Sequence, residues 1–565
     1  MQIKQTLVRL TFILFPFILS AQTTYLQKDD KQNILLERLE IKLQKDSVLN
    51  FSKTKPFSRG HFIHRTVDMY KNPDPSLSTV DRHNLRSMML NNLEYMHDLN
   101  IGDFKSKKSI GRFYRTPANL YEVHIKDFDL IVNPVIQFVV SKENNNDQNL
   151  FLNTRGFNVR GKIANKIGFY AYVTDNQERD PMYVQQWVNE RQAVPGQGYY
   201  KSFKTTGYDY FDARGYFTFG VTKYIDVAFG YDKNFIGNGY RSLFLSDFSN
   251  NTLFLKLNTR IWKLNYQNLF MELHPSEPKG PDRLLKKKYA VMHHLDVDIT
   301  KSLNIGLFEG VIFGRPDHFE FGYLNPVIFY RSIEQQNGSF DNAVAGLDVK
   351  ANVKKTVQLY GQLLLDEFLL SEIKKNRGWW ANKWGMQFGA KYIDAFGINN
   401  LDLQLEHNRV RPFTYSHNDS VANYTHYNQP LAHPLGANFK EWIAVARYQP
   451  APKWLIIAKL IAYQQGKDSV AVGNPNFNSY GSNIFIPNTP PYRTMDIGFD
   501  IGSGWKTNVA YLSFLLSYEL RENLFLEANL VVRREETNTP PIMTNNTSIF
   551  SFGVRWNMHR REFDF

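Results

Sequence analysis

Residues 409–440 gather side chains suited to holding a sugar. Arg411, Phe413, Tyr415, His417, Tyr424, His426, Tyr427 and His433 all fall in this one stretch. Flat rings cover the CH faces of a pyranose, while arginine, asparagine and histidine satisfy hydroxyls and carboxylates. The competing reading is an ordered loop that folds on itself or into the barrel mouth, because aromatic loops often pack locally. Residues 314–342 carry a similar mixture in Arg315, Asp317, His318, Tyr323, Tyr330 and Arg331. Residues 233–251 add Asn234, Asn238, Tyr240, Arg241 and Asp247, with Gly237 and Gly239 read as turn formers rather than a phosphate cradle.

Catalytic chemistry has less to stand on. The sequence holds no Gly-x-Ser-x-Gly, His-Glu-x-x-His or Walker pattern. It has no cysteine, which removes thiol catalysis, disulfides and a lipid-attachment cysteine. His61 and His64 could meet on one helical turn with Asp68 as a third ligand. No fourth ligand is evident and nothing else marks that stretch as a helix, so no metal is expected. The expectation is a protein without catalytic residues, metal or cofactor. The net charge of +13 is spread in small groups such as Lys286–Lys288 and Arg560 with Arg561. Scattered charge of this kind suits a membrane rim or anionic surface glycans, and no nucleic-acid partner is expected.

The elements that would position these loops are strands. At Leu253, Leu255, Leu257, Thr259 and Ile261 apolar or small side chains alternate with Lys256, Asn258 and Arg260. Leu401, Leu403 and Leu405 alternate with Asp402, Gln404 and Glu406, and Leu524–Val532 repeats the pattern. A period of two is a sheet with one apolar and one polar face. About eighteen such segments follow Tyr121. Their connections alternate between long (178–206, 233–251, 314–342, 409–440, 464–507) and short (162–166, 222–224, 354–356, 521–523). A soluble sandwich has no reason to sort its loops by parity. An all-β transmembrane antiparallel barrel has short turns on one side of the membrane and long loops on the other. Aromatic content of 15% with no later apolar run of about 20 residues agrees, as does a mean hydropathy of −0.41. Inside such a barrel, Leu324–Arg331 could form a helix constricting the lumen. Trp379, Trp380 and Trp384 read as an interfacial belt.

Residues 1–21 read as a signal peptide, with Lys4 and Arg9 before the apolar Leu10–Leu19. Residues 22–120 read as a small helical, periplasmic region. Leu35, Leu36, Leu39 and Leu43 mark one helix. Ser78 with Asp81 forms a capping-box pattern ahead of Leu85, Met89, Leu93 and Met96, a second helix through Asp98. The barrel is expected over 121–565. Its last strand runs from Phe550 to Met558, with the even positions apolar. Phe563 and Phe565 fall on odd positions. Either a bulge shifts the register and keeps the terminal aromatic in the sheet, the preferred reading, or Arg560–Phe565 is a short periplasmic tail.

Three stretches carry a family resemblance: GYDKNFIGNGYRSLFLSDFS (230–249), FGYLNPVIFYRSIEQQNGSFDNAVAGLDVK (321–350) and RPFTYSHNDSVANYTHYNQPLAHPLGANFKE (411–441). The chain resembles the Wzi-type capsule assembly barrels and, within that group, the RemB gliding motility type. The resemblance implies an outer-membrane location and a non-catalytic role in the gliding apparatus. The partners it implies are outer-membrane lipid with a surface polysaccharide, a cell-surface adhesin or gliding-apparatus proteins. A lectin-like anchor for capsular polysaccharide and a diffusion porin stand as alternatives. The glycan- or partner-binding candidates are Arg411, Tyr415, His417, Tyr424, His426, Tyr427, His433, Arg315, His318, Tyr330, Arg331, Asn238, Tyr240 and Arg241.

Overall fold

The computed structural model describes residues 23–96, 101–107, 109–164, 166–278, 284–315, 318–468, 472–474, 477–539 and 541–565. The expected signal peptide lies outside them. Eighteen long strands close into one antiparallel barrel. They are β1 Phe128–Glu143, β2 Leu150–Ile163, β3 Ile167–Arg179, β4 Gly207–Gly220, β5 Ile225–Asp232, β6 Thr252–Ile261, β7 Leu264–Leu273, β8 Lys288–Thr300, β9 Leu303–Phe313, β10 Asn342–Val353, β11 Val357–Glu367, β12 Lys383–Tyr392, β13 Leu401–Val410, β14 Phe439–Ala451, β15 Trp454–Lys467, β16 Trp505–Arg521, β17 Leu524–Thr537 and β18 Met543–Trp556. Two short strands, Tyr121–Ile125 and Lys201–Phe203, pair alongside β1 and β4. Closure comes from β18 on β1, with Ile549 opposite Glu143 and Trp556 opposite Ile136.

The alternation read from sequence sets the two faces. Phe217, Phe229, Leu307, Phe388, Leu512, Phe514 and Phe552 are exposed on the outer wall. His294, Asp296, Asp348, Gln362 and Glu406 are buried on the inner one. Loop parity holds as well, with one-end connections as short as 262–263 and 522–523 facing other-end loops as long as 468–504. The final long-end connection is short, residues 538–542, because β17 and β18 stay paired up to Thr537 opposite Met543.

The lumen is packed. From the long-loop end, 233–251 folds inward and places Ile236, Leu243, Phe244 and Leu245 against Phe254, Leu269, Met271 and Phe308 of the wall. Phe244 stacks on Phe308 with 4.4 Å between ring centroids. From the short-turn end come three helices, α1 Gln32–Leu43, α2 Arg59–Lys71 and α3 Thr79–Leu90. They share a core of Leu35, Leu39, Ile63, Leu85, Met89 and Leu93. The capping box forms, with Asp81 N–H donating to Ser78 Oγ at 3.0 Å and Ser78 N–H to Asp81 Oδ2 at 3.2 Å. α3 ends at Leu90, short of Asp98, and a 3-10 turn over Leu93–Tyr95 follows. α2, where no helix was expected, contains His61, His64 and Asp68 and buries Phe62, Ile63, Thr66 and Met69. Among the described residues, no group of three or more His, Cys, Asp or Glu is placed to hold a metal. The α1–α2 connection reaches far enough in for Thr54 and Lys55 to pair with Ile236 and Phe235.

The strand does end near Met558, but the closing residues form neither a bulged strand nor a periplasmic tail. β18 pairs with β17 without a register shift and stops at Trp556. Asn557 then adopts a φ of 52°, and its side chain donates to Pro134 O at 2.9 Å. Residues 557–565 leave the sheet and run into the lumen. Met558, expected on the outer face, packs on Val135 and Tyr172. Arg561 pairs with Glu178 at 2.9 Å and Asp564 with Arg241 at 3.0 Å. Phe565 meets Trp187, Phe248 and Tyr183. The charges explain the turn: Arg560, Arg561, Glu562 and Asp564 find Glu527, Glu178, Lys459 and Arg241 as partners inside the barrel.

Candidate functional site

The long-loop end is capped by the loops between β3 and β4, β7 and β8, β11 and β12, β13 and β14, and β15 and β16. Loop 411–438 is the keystone. Arg411 ties three of these loops together, donating to Asn382 O at 2.8 Å, Trp379 O at 3.3 Å and Phe499 O at 2.8 Å. Phe413 N–H donates to Gly481 O at 2.9 Å. Gly481 has a φ of +76°, and a Cβ there would sit 2.4 Å from that same nitrogen, so only glycine permits this approach. Trp380, expected in the interfacial belt, is part of the cap: Arg493 lies 4.0 Å over its ring and Phe413 meets it edge-on.

Most of the aromatic and histidine candidates of this loop point down rather than out. Tyr415 holds a φ of 75°, a sparsely populated conformation for a tyrosine. Two hydrogen bonds fix it: its N–H to Asp366 Oδ2 at 2.7 Å and its hydroxyl to Leu243 O at 2.8 Å. Tyr424 donates to Phe244 O at 2.6 Å. His426 accepts the His274 N–H on Nδ1 and donates from Nε2 to Asn251 O, both at 3.0 Å. Burial pushes its imidazole down to about 3, so it is neutral. His433 accepts Leu435 N–H on Nδ1 and donates from Nε2 to Glu441 at 2.7 Å. His417 is buried under Phe340, which meets it edge-on; burial and then Lys383 lower its pKa. These side chains bolt the cap to the packed lumen, and their polar atoms are spent on it.

Tyr427 differs. Thr425–His426 and Gln429–Pro430 form a small hairpin. Its two turn residues, Tyr427 and Asn428, have φ of 48° and 60°, as a type I′ turn requires. The tip carries a half-exposed platform. The Tyr427 ring lies 4.5 Å from His274 and 5.2 Å from Tyr199, edge-on to the latter. Asn428 fastens it, accepting Glu277 N–H at 2.9 Å and donating to Arg191 O at 2.9 Å and Glu277 O at 2.8 Å. His274 and Tyr199 were not singled out in the sequence. Each is a lone ring in a different loop, and no spacing joins them. Rings set at angles around an open space can cover sugar CH faces.

The other two groups lie elsewhere. Asn238, Tyr240 and Arg241 are inside the lumen. Asn238 donates to Ser52 Oγ of the N-terminal region at 2.9 Å. Tyr240 and Arg241 hold Asp564, with Arg241 donating to its backbone oxygen at 2.7 Å. These two residues line a cavity of about 390 Å³, together with Lys28, Lys31, Lys459 and Arg561. Each of these cations is paired with a carboxylate, for example Lys28 with Asp247 and Lys459 with Asp564, both at 2.7 Å.

Loop 314–341 runs the other way. Its helix, Tyr330–Gln336, does not constrict the lumen; it lies against the outside of the wall. Tyr330 stacks on His293 at 3.8 Å, and Arg331 N–H donates to Glu309 at 2.9 Å. The neighbours His294 and Phe308 face inward, to Asp348 and Phe244, so His293 and Glu309 face outward. Arg315 makes a two-pronged pair with Asp341 at 2.8 Å on each arm. His318 is exposed at the start of the loop. The fourteen candidates thus occupy four separate places, because residue type does not tell which way a loop folds.

A family model, capsule assembly protein Wzi, matches residues 213–512, more than half of the chain. No curated protein matches. Among solved structures the chain is similar to Wzi of Escherichia coli, described as an outer-membrane protein involved in group 1 capsule assembly and a carbohydrate-binding β-barrel. Identity is 13%, covering 96% of this chain and 100% of that one, with a TM-score of 0.57. It is also similar to Pseudomonas aeruginosa OprD, at 12% identity over 76% of this chain and 96% of that one, with a TM-score of 0.42. The eighteen-stranded barrel with its apolar outer wall is an outer-membrane protein, and the chain belongs to the Wzi capsule assembly family.

Proposed function

We propose that the chain is a non-catalytic, lectin-like anchor that holds a surface polysaccharide at the outer face of the membrane. The observation that carries this reading is the cap. It is rigidly bolted to a packed lumen, yet it leaves the Tyr427, His274 and Tyr199 rings half-open at its surface. The carbohydrate binding described for the Escherichia coli relative supports the same reading. Residues 22–120 are then a periplasmic-side plug and 121–565 the barrel. A diffusion porin fits poorly, since helices, an inward loop and residues 557–565 occupy the lumen. Neither the family match nor the structural likeness points to gliding motility, adhesins or a RemB-type role, so the polysaccharide reading takes precedence over that one.

The test is retention of polysaccharide. Cells lacking the protein should shed surface polysaccharide into the medium, and the purified barrel should retain that polysaccharide on a column. An unchanged cell-bound fraction, together with no retention by the pure protein, would refute the reading.

A further inference from the structure

The outer wall of β7, β8 and β9 contradicts its own lipid-facing role. Asn268, His293 and Glu309 are paired in register across the three strands, Asn268 opposite His293 and His293 opposite Glu309. All three are on the outward phase, yet they are 2%, 7% and 6% exposed. A polar row on a barrel's lipid face is costly, all the more so for a group that can ionise. Here residues 318–341 cover it. Tyr323, Tyr330 and Ile333 pack on Phe270, Val291, Val311 and Phe313, all outward-facing.

The reach of this strap sets its depth. Tyr266 donates to Pro326 O at 2.7 Å. Tyr266 lies opposite Leu295, Leu295 opposite Leu307, and Leu307 opposite Leu347. Leu307 and Leu347 are 54% and 44% exposed on the open wall. Leu307 is six residues below Phe313, so at about 3.3 Å per residue and a strand tilt of about 40° the strap descends roughly 15 Å from the top of the wall. The side turned away from the barrel changes character with depth. Val327 and Phe329, near the bottom beside Pro326, are 85% and 67% exposed; Phe321, higher up beside Phe319, is 77% exposed. Gln335, Gln336, Asn337 and Ser339, on the way back up, are exposed and polar.

We infer that residues 318–341 form a membrane-seated strap whose Val327 and Phe329 contact the acyl chains of the outer leaflet. Irregular backbone at membrane depth must have its polar groups satisfied by protein. The strap meets much of this demand itself. Tyr323 N–H donates to Glu320 O at 3.2 Å, Val327 N–H to Asn325 Oδ1 at 3.1 Å and Asn337 N–H to Ile333 O at 3.0 Å. The wall takes Pro326 O and Arg331 N–H. The apolar ridge continues the band formed by Leu307 and Leu347, and the strap hides the polar row beneath it. This contact is independent of the polysaccharide reading.

The absence of cysteine makes the test direct. Single variants Val327→Cys and Phe329→Cys carry a bimane label, with Leu307→Cys as the wall reference and Lys374→Cys, on an exposed cap loop, as the water reference. Each is reconstituted in phosphatidylcholine vesicles with and without brominated acyl chains. A heat-dependent gel shift confirms a folded barrel in each case. The expected result is quenching at 327 and 329 of at least half that at 307, with none at 374. Quenching below that threshold at both strap positions, with iodide access like that at 374, would overturn the assignment.

Discussion

Arg38 sits where the N-terminal helices meet the barrel. Its guanidinium reaches Asp81 of α3 at 2.9 Å, Asp394 of a short turn at 2.8 Å, and Asp402 of β13. Lys42 completes the cluster, 2.7 Å from Asp81 and 2.9 Å from Asp394. Three carboxylates thus share two cations in a site where all but Asp394 are buried. Arg38→Leu leaves Lys42 against Asp81 and Asp394, and only the more distant Arg447 against Asp402. Breaking a buried ion pair from one side costs roughly 3–5 kcal/mol. That is roughly two to three and a half decades in the docked population of the helices, at about 1.4 kcal/mol per decade. Asp394 and Asp402 belong to the wall and Asp81 to the plug, so the loss falls on the contact between them. The charges also leave a pH signature. Without the guanidinium the carboxylates hold protons more readily in the folded state, so stability is lost as pH rises, and the defect is larger at pH 8 than at pH 5. Hydrogen exchange of residues 79–90 should quicken at least tenfold at pH 8, less at pH 5, and planar bilayers should show current steps that the parent protein lacks. Unchanged exchange, or a defect that grows toward acid, would refute the reasoning.

Four further outcomes follow from the same geometry. Tyr427→Ala should lower polysaccharide retention severalfold while leaving the thermal transition of the barrel within a few degrees of the parent. Tyr424→Phe removes a hydroxyl from a buried carbonyl; it should destabilise by about 1–3 kcal/mol in denaturant titration and leave retention intact. Burial alone would raise the Asp81 carboxyl, yet Arg38 and Lys42 hold it down to about 2. A lowered folded-state pKa supplies stability above about pH 4 that is lost as pH falls toward 2, worth about 2 kcal/mol, so residues 79–90 should deprotect across that window in exchange experiments. Asp564, held well below its usual range by Arg241 and Lys459 against the effect of burial, anchors the closing segment. Asp564→Ala should speed exchange of residues 557–565 by one to two decades, from about 1.5–3 kcal/mol of lost charge-assisted hydrogen bonding.

The barrel was legible because two independent regularities pointed to it. A period of two, as at Leu253–Ile261, fixes which face meets lipid, and loop parity fixes closure rather than a sandwich. The helix from Thr79 was legible from Ser78 and Asp81, since a capping box is local chemistry. The site was less legible because a loop's residue types do not say which side of the wall it takes. Loops 233–251 and 314–341 are similar mixtures of Tyr, Arg, Asn and Phe, yet one fills the lumen and the other lies outside. Tyr415 and Tyr427 are equally aromatic. One is buried by an unusual backbone angle, the other raised by a two-residue turn, and neither angle is written in composition. His274 and Tyr199 join Tyr427 only through the fold.

Polar residues that break the strand pattern are the sequence signal that could have oriented two of these segments. After β18 the charges come in a run, Arg560, Arg561, Glu562 and Asp564, just past the short-turn end, where Trp556 already pairs with Leu524 beside the turn at 522–523. A bulge changes which residues face out but gives these charges no partners, whereas the lumen holds counter-charges. Glu178, Glu527 and Arg241 supply them. In β7, β8 and β9 the same violation appears as a row rather than a run. Asn268, His293 and Glu309 each sit on the apolar phase of their own strand, and strand pairing sets them side by side. One such residue is tolerable at a membrane boundary; three adjacent ones need a cover. The nearest chain able to supply one leaves the top of β9 at Gly314 and, after Arg315–His318, carries aromatic and aliphatic residues from Phe319 to Tyr330. An outward-phase polar row followed by a long apolar loop therefore predicts that the loop turns down over the wall, as residues 318–341 do.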